Sequence, residues 1–476
     1  MKKVVIIGGG MTGLSAAYYL HKERMEKNLP LDIKLVEASQ NLGGKIQTVR
    51  KDGFVIERGP DSFLARKKSA GRLAENLGLG NQIVHNTAGK SFVLVNNHLH
   101  SMPEGSTMGI PTKVMPFAFS GLFSPIGKLR ASFDFVLPRT KVDGDMSLGA
   151  FFRRRLGNEV VENLIEPLLS GIYAGDIDNM SLMATFPQFY QVEQENGSIV
   201  LGMKKIAPVK KPTNSQAPSK GIFQTLTNGL QSIVERIEEE LPQEDVLKGM
   251  KVLEVRKVGN SYECVLNNGH ILEADRVIVA VPHQHLPGMF NHHSVFEPLK
   301  TVPSTSVANV AMAFPESAIK KDIEGTGFVV SRNSDYTITA CTWTHKKWPH
   351  ACPKGKVLLR CYVGRPDDQD ICDKTDEELV EIVLKDLKKT MSITEQPEFY
   401  VVSRWKEAMP QYTIHHLDRT KAIQNYLNKE MPGVRIGGSS FYGAGLPDCI
   451  DQGERAVKET LDFLFNKNNE EVAIIH

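Results

Sequence analysis

A glycine-rich turn follows a short apolar run at the start of the sequence. Residues 4–7 are Val-Val-Ile-Ile, and Gly8, Gly10 and Gly13 follow at the spacing G-x-G-x-x-G. The β-branched run predicts a strand buried on both faces of a parallel sheet, and the residues from Leu14 onward predict a helix. In this setting the glycines let the backbone approach a pyrophosphate at the positive end of the helix. The pattern predicts a dinucleotide site; outside this context, such a turn would indicate tight packing alone.

Glu37 ends a second apolar run, residues 33–36, at the position where the ribose of a dinucleotide would lie. A carboxylate accepts hydrogen bonds from ribose hydroxyls and repels a 2′-phosphate, so a ligand of the NADP type is disfavoured. Two further motifs follow, LGGK at residues 42–45 and ERGPDSF at residues 57–63. A glycine pair beside a cation adds a phosphate contact, and a simple NAD domain needs neither motif. We therefore expect FAD.

A second glycine-rich stretch, residues 443–447, precedes the last amphipathic segment of the chain. Its glycines allow close approach to a ligand. Asp448 has the side chain of a good N-cap for a helix predicted from about Ile450 to Phe465. A helix N-terminus carries partial positive charge, which would stabilise the negative charge of a reduced flavin. The alternative is a capped surface helix without a ligand.

Buried-strand patterns recur far along the chain, so the dinucleotide-binding domain is predicted to be assembled from separated pieces. An amphipathic helix is predicted at residues 229–241, a buried strand at 277–280 and a strand–helix unit at the end. Between them, residues 112–200 are rich in phenylalanine and methionine with a helical pattern, and residues 286–400 alternate strands and turns. The predicted fold class is α/β plus α+β, with a discontinuous Rossmann-like FAD-binding domain, an inserted substrate domain and a helical domain.

The predicted domain boundaries follow these changes in pattern. They are 1–75, 221–285 and 402–470 for the FAD-binding domain, 76–111 and 286–401 for the substrate-binding domain, 112–205 for the helical domain, and 206–220 for a surface loop.

Composition excludes several classes of protein. The 476 residues are 41% hydrophobic and 24% charged, as in ordinary globular proteins. A net charge of +2 is too small to attract a polyanion strongly, so nucleic acid is not an expected partner. The six cysteines form no CxxC pair, and no metal site is predicted. No apolar run reaches about 18 residues, and the start does not resemble a secretion signal, so a cytoplasmic location is expected.

Several motifs together resemble the flavin amine-oxidase superfamily. They are GGGMTG, VEAS followed by LGGK, ERGPDSF, the downstream Trp405 and the terminal GGSSFYGAGLPDCIDQG. Within that superfamily the chain resembles the oxygen-dependent protoporphyrinogen oxidases, especially the bacterial branch of coproporphyrinogen III oxidases. This narrower resemblance is carried by ENLIEPLLSGIYAGD at 162–176 and RNSDYTITACTWTHKKWPH at 332–350. It covers essentially the whole chain.

The resemblance implies a noncovalent FAD and the residues that hold it. Lys45 stands where most relatives have arginine, so its phosphate contact is expected to be somewhat weaker or bridged by water. Trp405 is expected beside the flavin, although alone it would also fit an ordinary protein core. The implied cofactor residues are Gly8, Gly9, Gly10, Met11, Thr12, Gly13, Glu37, Ala38, Gly44, Lys45, Gly59, Pro60, Asp61, Ser62, Val252, Trp405, Ala444, Gly445 and Leu446.

The resemblance also implies the reaction. A porphyrinogen is oxidised to a porphyrin in three two-electron steps of haem biosynthesis, with dioxygen as the acceptor and hydrogen peroxide as the by-product. Flavin performs the hydride transfer, so no catalytic side chain is assigned. Ile172, Tyr173 and Tyr362 are expected to wall the substrate pocket. Among the cations of residues 66–68, Lys67 is expected to bind a propionate.

Two other functions are compatible with the sequence. The first is a flavin oxidase acting on amines or polyenes, and the second is a carrier of the same fold without flavin. Intact glycine-turn and Glu37 motifs argue against the carrier. Residues 110–137 combine phenylalanines with scattered cations, so contact with a membrane is expected to be at most peripheral. Neighbouring haem-pathway enzymes are the expected protein partners.

Overall fold

Strands from the beginning, middle and end of the chain meet in one parallel sheet. The computed structural model describes residues 1–206 and 220–465. The sheet has five strands in the order Val246–Lys248, Leu31–Glu37, Lys2–Ile7, Arg276–Val279 and Val434–Ile436. All four neighbouring pairs are parallel. The predicted run at residues 4–7 is buried, as expected for a strand that is covered on both faces.

The first helix, Met11–Lys27, and the last helix, Leu446–Phe465, pack against each other on this sheet. Their contact is close, because a Cβ at Gly453 would lie 2.7 Å from the carbonyl oxygen of Thr12. Both helices start earlier than the apolar pattern predicts. Asp448 therefore lies in the first turn of the last helix, and its prediction as the N-cap is wrong.

A three-stranded antiparallel sheet lies beside the parallel one. Its strands are Val252–Val258, Ser261–Leu266 and Ile271–Ala274. Gly269 has φ of +84° in the turn between the last two strands, a backbone conformation that favours glycine. The Asn268-Gly269 pair predicts a hairpin in which residues 262–266 pair with residues 270–272, and the structure confirms it.

The largest sheet has seven strands and is mostly antiparallel. Their order is Phe399–Pro410, Ser304–Pro315, Lys356–Val363, Ala340–Trp343, Gly327–Val330, Ser91–Val95 and His98–Ser101. We call it the large sheet. The helix Asp376–Met391 contributes Leu379, Val383 and Leu387 to the hydrophobic core of this sheet. That helix begins with a capping box, in which Thr375 and Glu378 bond each other's backbone N–H groups.

Residues 114–206 form mainly short helices, which we call the helical segment. Phe151, Phe152 and Phe189 are fully buried in its core. Arg155 and Asp134, both fully buried, form an ion pair of 2.6 Å. The helices are Val114–Ala118, Pro125–Ser132, Leu148–Leu156, Asn158–Val160, Glu166–Tyr173, Leu182–Thr185, Pro187–Asn196 and Ile199–Ile206, with a π-helical turn at Val161–Ile165.

Smaller elements connect these parts. The other helices are Lys68–Asn76, Gln231–Glu240, Leu286–Met289, Thr344–Lys347 and His416–Glu430. The other strands are Thr48–Lys51 with Phe54–Glu57, Phe63–Leu64 and Ile83–Thr87 with Lys220–Leu226, and Ser106–Thr107 with Ile110–Pro111.

The mixed α/β fold class predicted from the sequence is confirmed. The domain boundaries stay predictions, and most of the loop predicted at 206–220 lies outside the described residues. Within residues 1–206 and 220–465, no helix combines the length and apolar character needed to cross a bilayer.

Candidate active site

One cavity of about 1620 Å³ lies where the parallel sheet, the large sheet and the helical segment meet. Its walls include the glycine turn, residues 307–309 of the large sheet and residues 171–175 of the helical segment. The glycine turn follows the carboxyl end of the first strand, the edge at which sheets of this type bind ligands. The cavity is therefore the candidate active site.

The glycine turn forms what we call the nucleotide end of the cavity. The first helix starts directly after Gly10, and no side chain caps it. A Cβ at Gly10 would meet no atom within 4 Å, whereas a Cβ at Gly13 would lie 1.9 Å from the carbonyl oxygen of Gly8. The helix therefore packs tightly on the turn while its uncapped N–H groups adjoin open space. This arrangement fits a pyrophosphate.

Glu37 connects the turn to the second strand. The N–H of Gly9 donates to Oε2 of Glu37 at 2.6 Å, and the N–H of Ser39 donates to Oε1 at 2.7 Å. Each carboxylate oxygen keeps a lone pair for another donor. Because Glu37 also lines the cavity, it can hold the turn and accept a ribose hydroxyl at the same time.

Lys45 follows the glycine pair Gly43-Gly44 and lines the cavity near the glycine turn. Gly43 forms a bridge with Gly10, which brings this pair to the nucleotide end. The Lys45 ammonium donates to the carbonyl oxygen of Ala408. Burial lowers the pKa of Lys45, because the charged form loses its hydration. An anionic ligand would restore a partner to this charge.

Asp61 carries the strongest charge network of the loop at residues 58–63. Its Oδ2 accepts from Nζ of Lys347 at 2.8 Å and lies 3.5 Å from Nη1 of Arg360. Burial alone would raise the pKa of Asp61, but the charges of Lys347 and Arg360 hold it well below its usual range. Asp61 is therefore an anion, which fixes the loop and does not act as a proton donor.

Trp405 joins the same loop to the large sheet. Its indole N–H donates to the carbonyl oxygen of Arg58 at 2.9 Å. The ring also lies close to Gly59, where a Cβ would be 3.7 Å from Cζ2 of Trp405. Both residues line the cavity, and the position of the indole beside the flavin stays a prediction.

Lys67 and Asp448 form an ion pair at the wall of the cavity. Nζ of Lys67 lies 2.7 Å from Oδ2 of Asp448, in the first turn of the last helix. Lys67 was predicted to bind a substrate carboxylate, and the structure shows that its charge already has a partner. The pair closes the last helix against residues 63–69.

The other end of the cavity is mostly apolar, and we call it the chamber. Tyr173 packs against Tyr412 with ring centroids 5.5 Å apart, and Ile172 beside it is 55% exposed. Burial raises the pKa of Tyr173 to about 12 and also raises that of Tyr362, so both phenols keep their protons. Such walls suit a large flat ligand.

The structure brings nearly all the predicted site residues to this cavity. Every predicted cofactor residue lines it except Gly9 and Gly13, which lie behind its wall and shape the turn. The four predicted substrate residues line it as well; they are Lys67, Ile172, Tyr173 and Tyr362.

Sequence reasoning missed three charged residues of the chamber: Glu166, Arg332 and Arg365. Nε of Arg332 lies 2.7 Å from Oε1 of Glu166, which is only 5% exposed. Glu166 and Arg332 belong to the segments at 162–176 and 332–350, which carry the family resemblance. The sequence analysis gives neither residue a role in the site. The two residues are 166 positions apart, so no short stretch of sequence indicates that they form an ion pair.

Fold and site define a class of protein: an enzyme that holds a dinucleotide at a glycine turn and its substrate in the adjoining chamber. The sequence profile of the family described as flavin containing amine oxidoreductase matches residues 11–461. The chain belongs to this family of flavoproteins. The predicted FAD cofactor is confirmed.

Within the family, the chain is similar to two curated relatives over nearly its whole length. It is 57% identical to coproporphyrinogen III oxidase of Bacillus subtilis (strain 168), over 98% of this chain and 99% of the relative. It is 45% identical to the enzyme of that name from Staphylococcus aureus (strain NCTC 8325 / PS 47), over 97% and 99%. A crystal structure from Exiguobacterium sp. 255-15, with the provisional name protoporphyrinogen oxidase, superposes with a TM-score of 0.85 and 38% identity, covering 96% of this chain and 98% of that one.

Proposed function

We propose that this protein oxidises coproporphyrinogen III to coproporphyrin III with FAD, and that it also uses protoporphyrinogen IX, in haem biosynthesis. One observation carries the proposal most directly: the nucleotide end and the apolar chamber form a single cavity of about 1620 Å³. One continuous cavity of this size allows a cofactor ring and a large flat substrate to lie side by side. The identities to the two curated relatives support the choice of substrate.

FAD, when bound here, would supply the redox chemistry: a two-electron oxidation at a bridge carbon of the porphyrinogen, with dioxygen as the final acceptor. Three such cycles remove six hydrogen atoms and reduce three dioxygen molecules to three hydrogen peroxide molecules. The residues predicted from the resemblance are the proposed cofactor site, with Glu37 toward the ribose and Trp405 toward the flavin ring. FAD is proposed to be noncovalent.

The chain's contribution to the reaction is binding, orientation and exclusion of water. Ile172 and Tyr173 offer apolar surface to the macrocycle, and the protonated phenol of Tyr362 offers a hydrogen bond. Asp61 stays anionic and keeps the loop at residues 58–63 fixed beside the proposed flavin position. No side chain needs to act as a nucleophile.

Assays with substrates prepared under anaerobic conditions test this proposal. We expect purified protein to be yellow, to release FAD on denaturation, and to form porphyrin fluorescence from coproporphyrinogen III with three peroxides for each porphyrin. Protoporphyrinogen IX assayed beside it gives the preference. Peroxide from an amine, with no porphyrin from either porphyrinogen, would replace this function with that of an amine oxidase. Colourless protein that takes up no FAD would favour the carrier.

We also propose a cytoplasmic location with at most peripheral membrane contact. Phe119, Ile126 and Val136 are 81%, 80% and 76% exposed, and Lys113 and Lys128 lie on the same segment. Apolar side chains beside cations favour an anionic bilayer surface. Pelleting with vesicles of anionic and of neutral lipid tests this contact; equal recovery in the supernatant from both would exclude it. Dioxygen and neighbouring haem-pathway enzymes are the other proposed partners.

A further inference from the structure

Arg365 presents an unpartnered guanidinium to the chamber. It lines the cavity, and its Nη2 is buried without a hydrogen-bond partner among the residues that the structure describes. Burial, together with the neighbouring charge of Arg332, lowers the pKa of Arg365. A buried donor with no acceptor costs free energy, and a bound anion would remove that cost.

Arg332 lies beside Arg365 for a topological reason. Arg332 stands two residues after the strand Gly327–Val330, and Arg365 stands two residues after Lys356–Val363. Both strands are antiparallel to Ala340–Trp343, which lies between them. They therefore run in the same direction, and the two arginines leave the large sheet at the same edge.

Glu166 and Asp367 hold Arg332 but leave Arg365 free. Arg332 Nε lies 2.7 Å from Glu166 Oε1, and its Nη1 lies 3.7 Å from Asp367 Oδ2. Asp367 and Asp368 act on Arg365 through their charge, but no ion pair within 4 Å involves Arg365 in the described part of the chain. The edge thus holds an anchored guanidinium beside one that lacks an acceptor.

We propose that Arg365, supported by Arg332, binds a propionate carboxylate of the tetrapyrrole at this edge of the chamber. Guanidinium and carboxylate groups match each other in a two-pronged geometry, which a lysine cannot reproduce. The inference rests on the proposed function for the identity of the substrate. It differs from the prediction at Lys67, whose ammonium is already paired with Asp448.

Equilibrium binding to the FAD-loaded protein tests the proposal without turnover. The probes are coproporphyrin III, with four carboxylates, and its tetramethyl ester, both in the same dilute nonionic detergent and followed by porphyrin fluorescence. Arg365→Ala should raise the Kd of the acid by about 10- to 100-fold and leave the Kd of the ester unchanged. Arg365→Lys should recover only part of the loss.

Arg139→Ala is the matched control, because Arg139 is exposed and lies outside the cavity. It should bind both probes as the parent protein does. Flavin absorbance of every variant verifies that the cofactor site is intact. Equal loss of acid and ester binding in Arg365→Ala would overturn the proposal, as would an unchanged Kd for the acid.

Kinetics separate this inference from the function on which it rests. With coproporphyrinogen III, Arg365→Ala should raise KM with kcat within about twofold, because Arg365 binds a group remote from the reacting carbon. Parent protein that binds coproporphyrin III but never oxidises the porphyrinogen would refute the proposed function and leave the carboxylate site standing. Normal turnover with an unchanged KM in Arg365→Ala would refute the site alone.

Discussion

At the scale of single residues, the site depends on charges most of whose partners lie far away in sequence. Glu37 bonds the backbone of Gly9 and Ser39, Asp61 pairs with Lys347, and Lys67 pairs with Asp448. Each of these carboxylates accepts hydrogen bonds from identified donors. Replacing one carboxylate oxygen therefore removes an identified hydrogen bond.

Glu37→Gln tests the first of these contacts. The amide can accept only one of the two backbone N–H groups and turns its own N–H₂ toward the other, so the turn loosens. We expect the Kd of FAD to rise by about tenfold, measured by titration of apoprotein with FAD. Glu26→Gln, an exposed change near the end of the first helix, Met11–Lys27, should leave the Kd unchanged. Equal FAD affinity for both variants would remove Glu37 from the cofactor site.

Lys67→Glu tests the predicted carboxylate partner. The new carboxylate would face Asp448 and repel an anionic substrate, so we expect KM for coproporphyrinogen III to rise severalfold in steady-state assays. Lys68 is exposed and does not line the cavity, so Lys68→Glu should behave as the parent protein does. Unchanged kinetics for Lys67→Glu would discard this role and leave Arg365 as the candidate for propionate binding.

Glu57→Gln tests a buried carboxyl group directly before the loop at residues 58–63. Oε1 of Glu57 accepts from the N–H of Leu230 at 2.6 Å, and burial raises the pKa of Glu57 to about 7. The unfolded chain, with a pKa near 4.5, ionises first as pH rises. As the pH rises from 4.5 to about 7, this group therefore lowers the free energy of unfolding. Above pH 7 the full loss is about 3 kcal/mol.

The parent protein should accordingly lose stability relative to Glu57→Gln when urea unfolding at pH 8 is compared with pH 5. Glu195→Gln, at an exposed position, is the control and should follow the parent protein at both values. Parallel curves for the parent protein and Glu57→Gln would show that the carboxyl titrates near its ordinary pKa.

At the scale of elements, packing between the first and last helices positions the nucleotide end. Gly453 lies at their crossing, where a Cβ would come within 2.7 Å of Thr12 O and 2.8 Å of Ser15 Cβ. Those atoms are a backbone oxygen and the root of a side chain, so neither can move away without shifting a helix.

Gly453→Val should therefore separate the two helices. We expect a lower Tm, with a loss of about 1–3 kcal/mol from overpacking, and weaker FAD binding in the same variant. Gly288 lies exposed in the helix Leu286–Met289, where an added Cβ meets nothing within 4 Å. Gly288→Ala should leave Tm and FAD affinity unchanged. A Gly453→Val protein with normal Tm would contradict the close packing.

Elements were predictable where their evidence is local. The apolar run at residues 4–7, the glycine spacing and the turn at Gly269 each depend on neighbouring residues, and the structure confirms the strands and the hairpin that they predict. Helix starts were less predictable. The last helix begins at Leu446, before the predicted start near Ile450, because the glycine and proline at its start hide the apolar periodicity of the sequence. The guanidinium cluster at Arg332 and Arg365 depends on strand order, which no short window contains.

At the scale of the whole molecule, the cofactor site draws on residues from both ends and the middle of the chain. Gly10, Val252 and Ala444 line the same cavity. A ligand that binds only the folded state stabilises it by RT ln(1 + [L]/Kd), so FAD at 100-fold excess over its Kd adds about 2.7 kcal/mol. We expect the Tm of the apoprotein to rise clearly when FAD is added. Intrinsic protein fluorescence measures the thermal unfolding. AMP at the same concentration should give a smaller rise, because it can fill only the nucleotide end.

The parallel sheet also has a consequence for biosynthesis. Its edge strand Val434–Ile436 and the helix Leu446–Phe465 are the last described parts to leave the ribosome. At about 5–20 residues per second, synthesis from Ile7 to Arg276 takes about 13–54 s, and during that time the strand Lys2–Ile7 has only one of its two neighbours, Leu31–Glu37. Because Ala444 and Leu446 line the same cavity as Gly10, a nascent chain cannot complete its cofactor site before the last described helix has been made. Capture of the prosthetic group therefore reports that synthesis has reached this helix.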